Sequence, residues 1–83
     1  MQLESKTAIV TGAAQGIGAA IAREFVVHGA NVVIADVQDG RGADLAAELG
    51  ERCRYLHCDV GDAGDVARLV ETTCDWFGGI DIA

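Results

Sequence analysis

Three glycines and two carboxylates carry the chemistry open to this chain. Gly12, Gly16 and Gly18 stand in TGAAQGIG, directly behind the apolar run KTAIVT, and Asp36 and Asp59 each close a later apolar run. Gly12 suits a tight turn, Gly16 lets backbone approach a bound group, and Gly18 lets a helix press on a sheet; each lacks a side chain for its own reason. Such a turn delivers its ligand to a helix N-terminus, where unpaired N–H groups and about half a positive charge favour a pyrophosphate. Helix packing alone would also select glycines. The placement between an expected strand and an expected helix, with Asp36 following Gly12 by 24 residues, favours the dinucleotide reading.

Asp36 is able to accept hydrogen bonds from both hydroxyls of an adenosine ribose. A 2'-phosphate placed about 4 Å from that carboxylate is repelled by roughly 4 kcal/mol per unit charge at an effective dielectric near 20. NAD is therefore expected over NADP. Neither Gln15 nor Val37 brings a cation to reverse the preference, and Arg41 is expected on a helix surface.

Four strands and three helices must position these residues. Lys6–Thr11, Asn31–Asp36 and Arg54–Asp59 are short and β-rich, as buried parallel strands are. The first helix is expected over Gly16–His28, with Ile17, Ile21 and Phe25 as its apolar stripe. A second is expected over Gly40–Glu48, on Leu45, Ala46 and Leu49, although Gly40 and Gly42 weaken its first turn. The third begins at Asp62, with Asp65 in the capping-box position, and Val66, Leu69, Val70, Thr73 and Phe77 form its face. IDIA, Ile80–Ala83, opens a fourth strand. The order β-α-β-α-β-α-β predicts a Rossmann-type α/β fold, a doubly wound parallel sheet, in one domain over residues 1–83 that stops at the start of that strand.

Composition narrows the partners. Half of the 83 residues are apolar (51%), so a folded core is expected rather than disorder. A net charge of -7 with no basic cluster argues against nucleic acid, while a small phosphate ligand responds to local groups. The chain passes from Met1 almost at once into the first strand and has no apolar run near eighteen residues, which predicts a cytoplasmic protein with no leader and no membrane partner. Cys53, Cys58 and Cys74 lack CxxC spacing, so reduced thiols are expected, with Cys74 a small apolar filler on its helix. His57, Cys58 and Asp59 are adjacent, but neighbours on a strand point to opposite faces, and no metal site is assigned. Trp76 and Phe77 are expected to cover the sheet.

Thr11, Gly12, Gly16, Ile17 and Gly18 follow the pattern Thr-Gly-x-x-x-Gly-Ile-Gly, which resembles the short-chain dehydrogenase/reductase family. The resemblance extends to Asp36 as the NAD-type acid and to Asp59 and Val60 as the pair that meets adenine. It implies an enzyme that moves hydride between NAD(H) and an alcohol or carbonyl. FGGIDIA is similar to the lead-in to the family's fourth strand. The family's catalytic Ser and Tyr-x-x-x-Lys pair have no counterpart in these 83 residues, since Tyr55, the one tyrosine, is followed four positions on by Asp59. No catalytic residue is assigned, and these residues alone are expected to be inactive. With the fourth strand barely begun, an open sheet edge is expected to self-associate or take up a complementing chain. The alternative reading is a finished, non-catalytic product that binds an adenine nucleotide or pairs with a partner sheet.

Overall fold

The computed structural model describes residues 5–12 and 16–81. Their elements run in the order β1 (Thr7–Thr11), α1 (Gly16–Val27), β2 (Asn31–Asp36), α2 (Asp39–Leu49), β3 (Cys53–His57) and α3 (Ala63–Phe77). All strands are parallel, with β2 between β1 and β3. β1 lies in register with β2 from Thr7↔Asn31 to Thr11↔Ala35, and β2 with β3 from Val32↔Cys53 to Asp36↔His57. This is a Rossmann-type α/β sheet.

Alternation along the strands makes two cores. Val10, Val32, Ile34 and Cys53 pack with Ala19 and Ala22 of α1 and Leu45 of α2. On the other face Ile9, Val33, Ala35 and Cys58 meet Leu69 of α3, with Trp76 and Phe77 partly covered there as expected. The central strand is fully enclosed. Val32, Val33 and Ile34 have no exposed surface, which is why β2 is apolar at consecutive rather than alternate positions.

The expected stripe of α1 holds at Phe25, which packs against the core, and is corrected at its other two positions. Ile17 is 81% exposed and Ile21 41%, while Ala19 and Ala22 are buried. Small side chains let the helix axis approach the sheet, and the larger isoleucines are turned away. In α3, Leu69 and Thr73 are buried but Val70 is 43% exposed, and Cys74 lies on the surface instead of filling a gap. The capping box is half formed. Asp65 donates its N–H to Asp62 Oδ1 at 3.1 Å, yet the Asp65 carboxylate turns to the N–H of Asp59 at 3.0 Å rather than to that of Asp62.

The end of the described chain reaches the outer edge of β1. Asp81 donates its N–H to the Thr7 carbonyl and accepts the Thr7 N–H on Oδ2, both at 2.9 Å. A right-handed crossover from β3 to the other face of the sheet would bring a fourth strand to this edge. The described residues form three strands, and Ile82 and Ala83 of the expected fourth lie outside them.

Candidate functional site

The carboxyl ends of the three strands bring together residues that are far apart in the chain. Gly12, Ala35, Asp36, Val37, Cys58, Asp59 and Val60 line one cleft of about 210 Å³. Open α/β sheets bind ligands at the carboxyl ends of their strands. A larger depression of about 720 Å³, lined by Ala46, Ala47, Gly50, Glu51, Cys53 and Arg54, lies by the amino end of β3 and lacks such convergence.

Backbone shapes the glycine side of the cleft. Gly12 and Gly16 both hold φ of +63°, a region that L side chains rarely adopt, and none of the described residues lies within 4 Å of where a Cβ would stand on either. The Gly12 N–H donates to the Ala35 carbonyl at 2.9 Å, fixing the turn against the end of β2. α1 begins at Gly16 with no acidic residue in its first turn, whereas α2 carries Asp39 there and α3 carries Asp65. Of the three helix starts, this one leaves its positive end without a competing carboxylate. Gly18 is partly buried beside Ala19, and Ile17 stands in solvent. Gln15 lies outside the described residues.

Asp36 is held at several points. Only 7% exposed, it accepts the N–H groups of Val37 at 2.6 Å and Gln38 at 3.1 Å on Oδ1. Its carbonyl accepts the Cys58 N–H at 3.0 Å and the Tyr55 hydroxyl at 2.8 Å. That hydroxyl also faces Asp39 Oδ1, which lies 2.7 Å from His57 Nδ1. The Tyr55 hydroxyl, and after it His57, hold the Asp39 carboxyl below its ordinary range, while burial and then the hydrogen bond to Asp39 push Tyr55 up. Gly42 makes this possible. A Cβ there would stand 2.1 Å from Tyr55 Cε1, so the ring occupies the space that a side chain on α2 would need.

Sequence reasoning missed this Asp39–Tyr55–His57 cluster. Its signal was present in two forms: Tyr55 and His57 are two apart on a strand and so share a face, and a glycine costs about 1 kcal/mol inside a helix unless something uses the space.

The third wall is the loop after β3. Asp59 accepts the Gly61 N–H on Oδ1 at 2.9 Å and gives its own N–H to Asp65, so the loop is tied both to itself and to α3. Val60 is 61% exposed and Val37 54%. Both line the cleft, offering apolar surface to a flat ring. Arg41 is exposed on α2, in a depression shared with Arg23, Asp44 and Glu48. Among the described residues no helix is long and apolar enough to cross a membrane.

Residues 6–83 match the family model of short chain dehydrogenases. The chain belongs to the short-chain dehydrogenase family. Within it, this sequence is 52% identical over 82 residues to momilactone A synthase of Oryza sativa subsp. japonica, covering 98% of this chain and 30% of that protein. It is 53% identical over 81 residues to (+)-borneol dehydrogenase 1 of Salvia officinalis, covering 98% and 31%. Among solved structures, 3-ketoacyl-(acyl-carrier-protein) reductase from Brucella melitensis, complexed with NADH, superposes with a TM-score of 0.92 at 34% identity, over 95% of this chain and 33% of that one. This short-chain dehydrogenase sequence thus spans about a third of the length of the relatives it matches.

Proposed function

We propose that residues 1–83 are the NAD-binding part of a short-chain dehydrogenase/reductase domain that moves hydride between NAD(H) and an alcohol or carbonyl. One observation carries the reading: Gly12, Asp36, Asp59 and Val60 line a single cleft at the carboxyl ends of the strands. The residues suit the dinucleotide. The bare turn of Gly12 and Gly16 and the carboxylate-free start of α1 would take the pyrophosphate, with Gln15, Ile17 and Gly18 contributing from the same segment. Asp36 would take the adenosine ribose hydroxyls, and Val37, Asp59 and Val60 the adenine. NAD, when bound, supplies the hydride acceptor.

Asp36 sets the preference for NAD. Two backbone N–H groups hold its carboxylate in place, and the negative charge repels a 2'-phosphate. The outer edge of β1, where Asp81 already meets Thr7, is where a following strand or a complementing copy would pair.

Calorimetric titration of the 83-residue chain with NAD and with ADP-ribose tests the assignment. The two ligands share adenosine and pyrophosphate, so these residues should bind them about equally. Binding of neither ligand by a folded chain would contradict the proposal, and a strong preference for NAD would show that these residues also hold the nicotinamide.

A further inference from the structure

The corner between β2, α2 and β3 holds a side-chain network that the nucleotide chemistry itself does not call for. Tyr55 presents one hydroxyl hydrogen to two acceptors, the Asp36 carbonyl and Asp39 Oδ1. His57 Nδ1 meets the same Asp39 oxygen at 2.7 Å. A carboxylate only accepts, so the short contact assigns the imidazole hydrogen to Nδ1. His57 and Tyr55 both point a hydrogen at the same Asp39 oxygen, and the tyrosine hydroxyl ties that carboxylate to the Asp36 carbonyl. His57 therefore acts on Asp36 through two intermediates, Asp39 and Tyr55.

We propose that Tyr55, supported by Asp39 and His57, is a positioning residue that sets how strongly this protein prefers NAD over NADP, by fixing the main chain of Asp36. The inference rests on the reading of Asp36 as the ribose acceptor. Apart from Tyr55, the contacts described above to Asp36 are all backbone N–H groups, from Val37, Gln38 and Cys58. Tyr55 is a side-chain contact to Asp36 that is open to adjustment by substitution. The ring also occupies the space above Gly42, so α2 is shaped around it in its first turn. Global stability gives little reason for the outer pair: the His57 and Asp39 side chains are 50% and 68% exposed, and exposed ion pairs add little.

The experiment measures dissociation constants for NAD and NADP in the protein as its cells make it, beside Tyr55→Phe, His57→Leu and His57→Gln. Tyr55→Phe should weaken NAD about two- to tenfold, the size of one hydrogen bond, and leave NADP within about twofold, so the NAD:NADP ratio falls. His57→Leu should lower the ratio in the same direction by less. His57→Gln, which keeps an N–H donor for Asp39, should restore it. A network serving only the fold would lower the melting temperature and weaken both dinucleotides together, leaving the ratio unchanged; that result, or no change at all in Tyr55→Phe, overturns the inference. Absence of NAD binding by the unsubstituted protein overturns the ribose reading and this inference with it. NAD binding with an unmoved ratio overturns the inference alone.

Discussion

The two ends of the cleft are built by opposite means. At Gly12 and Gly16 the chain offers bare backbone at a φ of +63°, with none of the described residues within 4 Å of where a Cβ would stand. At the Asp36 corner it offers the Asp39 carboxylate, the Tyr55 phenol and the His57 imidazole joined by hydrogen bonds, with the phenol also on the Asp36 carbonyl. One end is defined by atoms that are missing, the other by atoms that are tied down. Added atoms should therefore damage the first end, and lost hydrogen bonds the second. The consequences for the ligand also differ. Pyrophosphate is common to NAD and NADP, so under the proposed assignment the glycine end would govern affinity for both, and the Asp36 corner the choice between them.

The largest expected effect breaks that corner outright. Asp36→Ala removes a repulsion of up to about 4 kcal/mol against a 2'-phosphate, and the preference for NAD over NADP should fall by about two orders of magnitude in paired titrations. An unchanged preference would remove Asp36 from the account.

Gly12→Val sharpens the contrast from the other side. Holding a β-branched residue at that φ costs roughly 1–3 kcal/mol, and the turn would escape the strain by leaving its binding-ready shape. Affinity for NAD and for NADP should drop together by about five- to a hundredfold, with their ratio held. A ratio that moved with this substitution would mean that the two ends are not separable.

Gly42→Ala asks whether the corner needs its missing atom as the turn does. Alanine would gain about 1 kcal/mol of helix propensity, but its Cβ would meet Tyr55 Cε1 at 2.1 Å, and overpacking costs about 1–3 kcal/mol. Thermal denaturation should show a net loss of stability. A net gain would mean that the ring yields without penalty.

Acid should act on the corner and spare the turn, which has no titrating side chain at Gly12 or Gly16. Asp39 sits below its ordinary carboxyl range because Tyr55 and His57 stabilise the charged form. The unfolded chain therefore takes up a proton at Asp39 before the folded chain does. The contribution of Asp39 is complete above about pH 4, the ordinary carboxyl value, and is lost as pH falls through the lower folded value. Denaturation midpoints followed downward from pH 6 should fall less steeply in Asp39→Asn than in the parent, and equal slopes would contradict the assignment.

The smallest effect concerns the wall that both ends share. Cys58 is buried in the cleft with its thiol pushed up, first by burial and then by nearby carboxylates, and burial pushes Cys53 up to about 11. Thiolates are the reacting form. Iodoacetamide at pH 8 should label exposed Cys74 and spare the other two, as read by peptide mass spectrometry. Early labelling of Cys58 would mean that the cleft opens more than its geometry shows.

The contrast also explains what could be read from the chain without coordinates. TGAAQGIG is contiguous, and the apolar runs NVVIAD and KTAIVT are bounded by residues that end strands, so the order of elements and the glycine turn follow from local pattern. Asp36 and Asp59 were legible because each closes such a run. Tyr55 reaches Asp39 across 16 positions and His57 reaches it across 18, between a strand edge and a helix start, and no local period joins them. Ile17 and Ile21 misled for a related reason: period alone marks a face, but close approach to the sheet selected the small Ala19 and Ala22 to fill it. At Asp65 the competition was between two nearby N–H groups, and the loop donor of Asp59 won over the helix cap.

Titration of the protein, purified at the length its cells make, with NAD and then with NADP tests the central claim most directly. The account predicts NAD binding at least tenfold tighter than NADP, since the proposed assignment sets the Asp36 carboxylate against the 2'-phosphate. Equal affinities, or tighter binding of NADP, would contradict it.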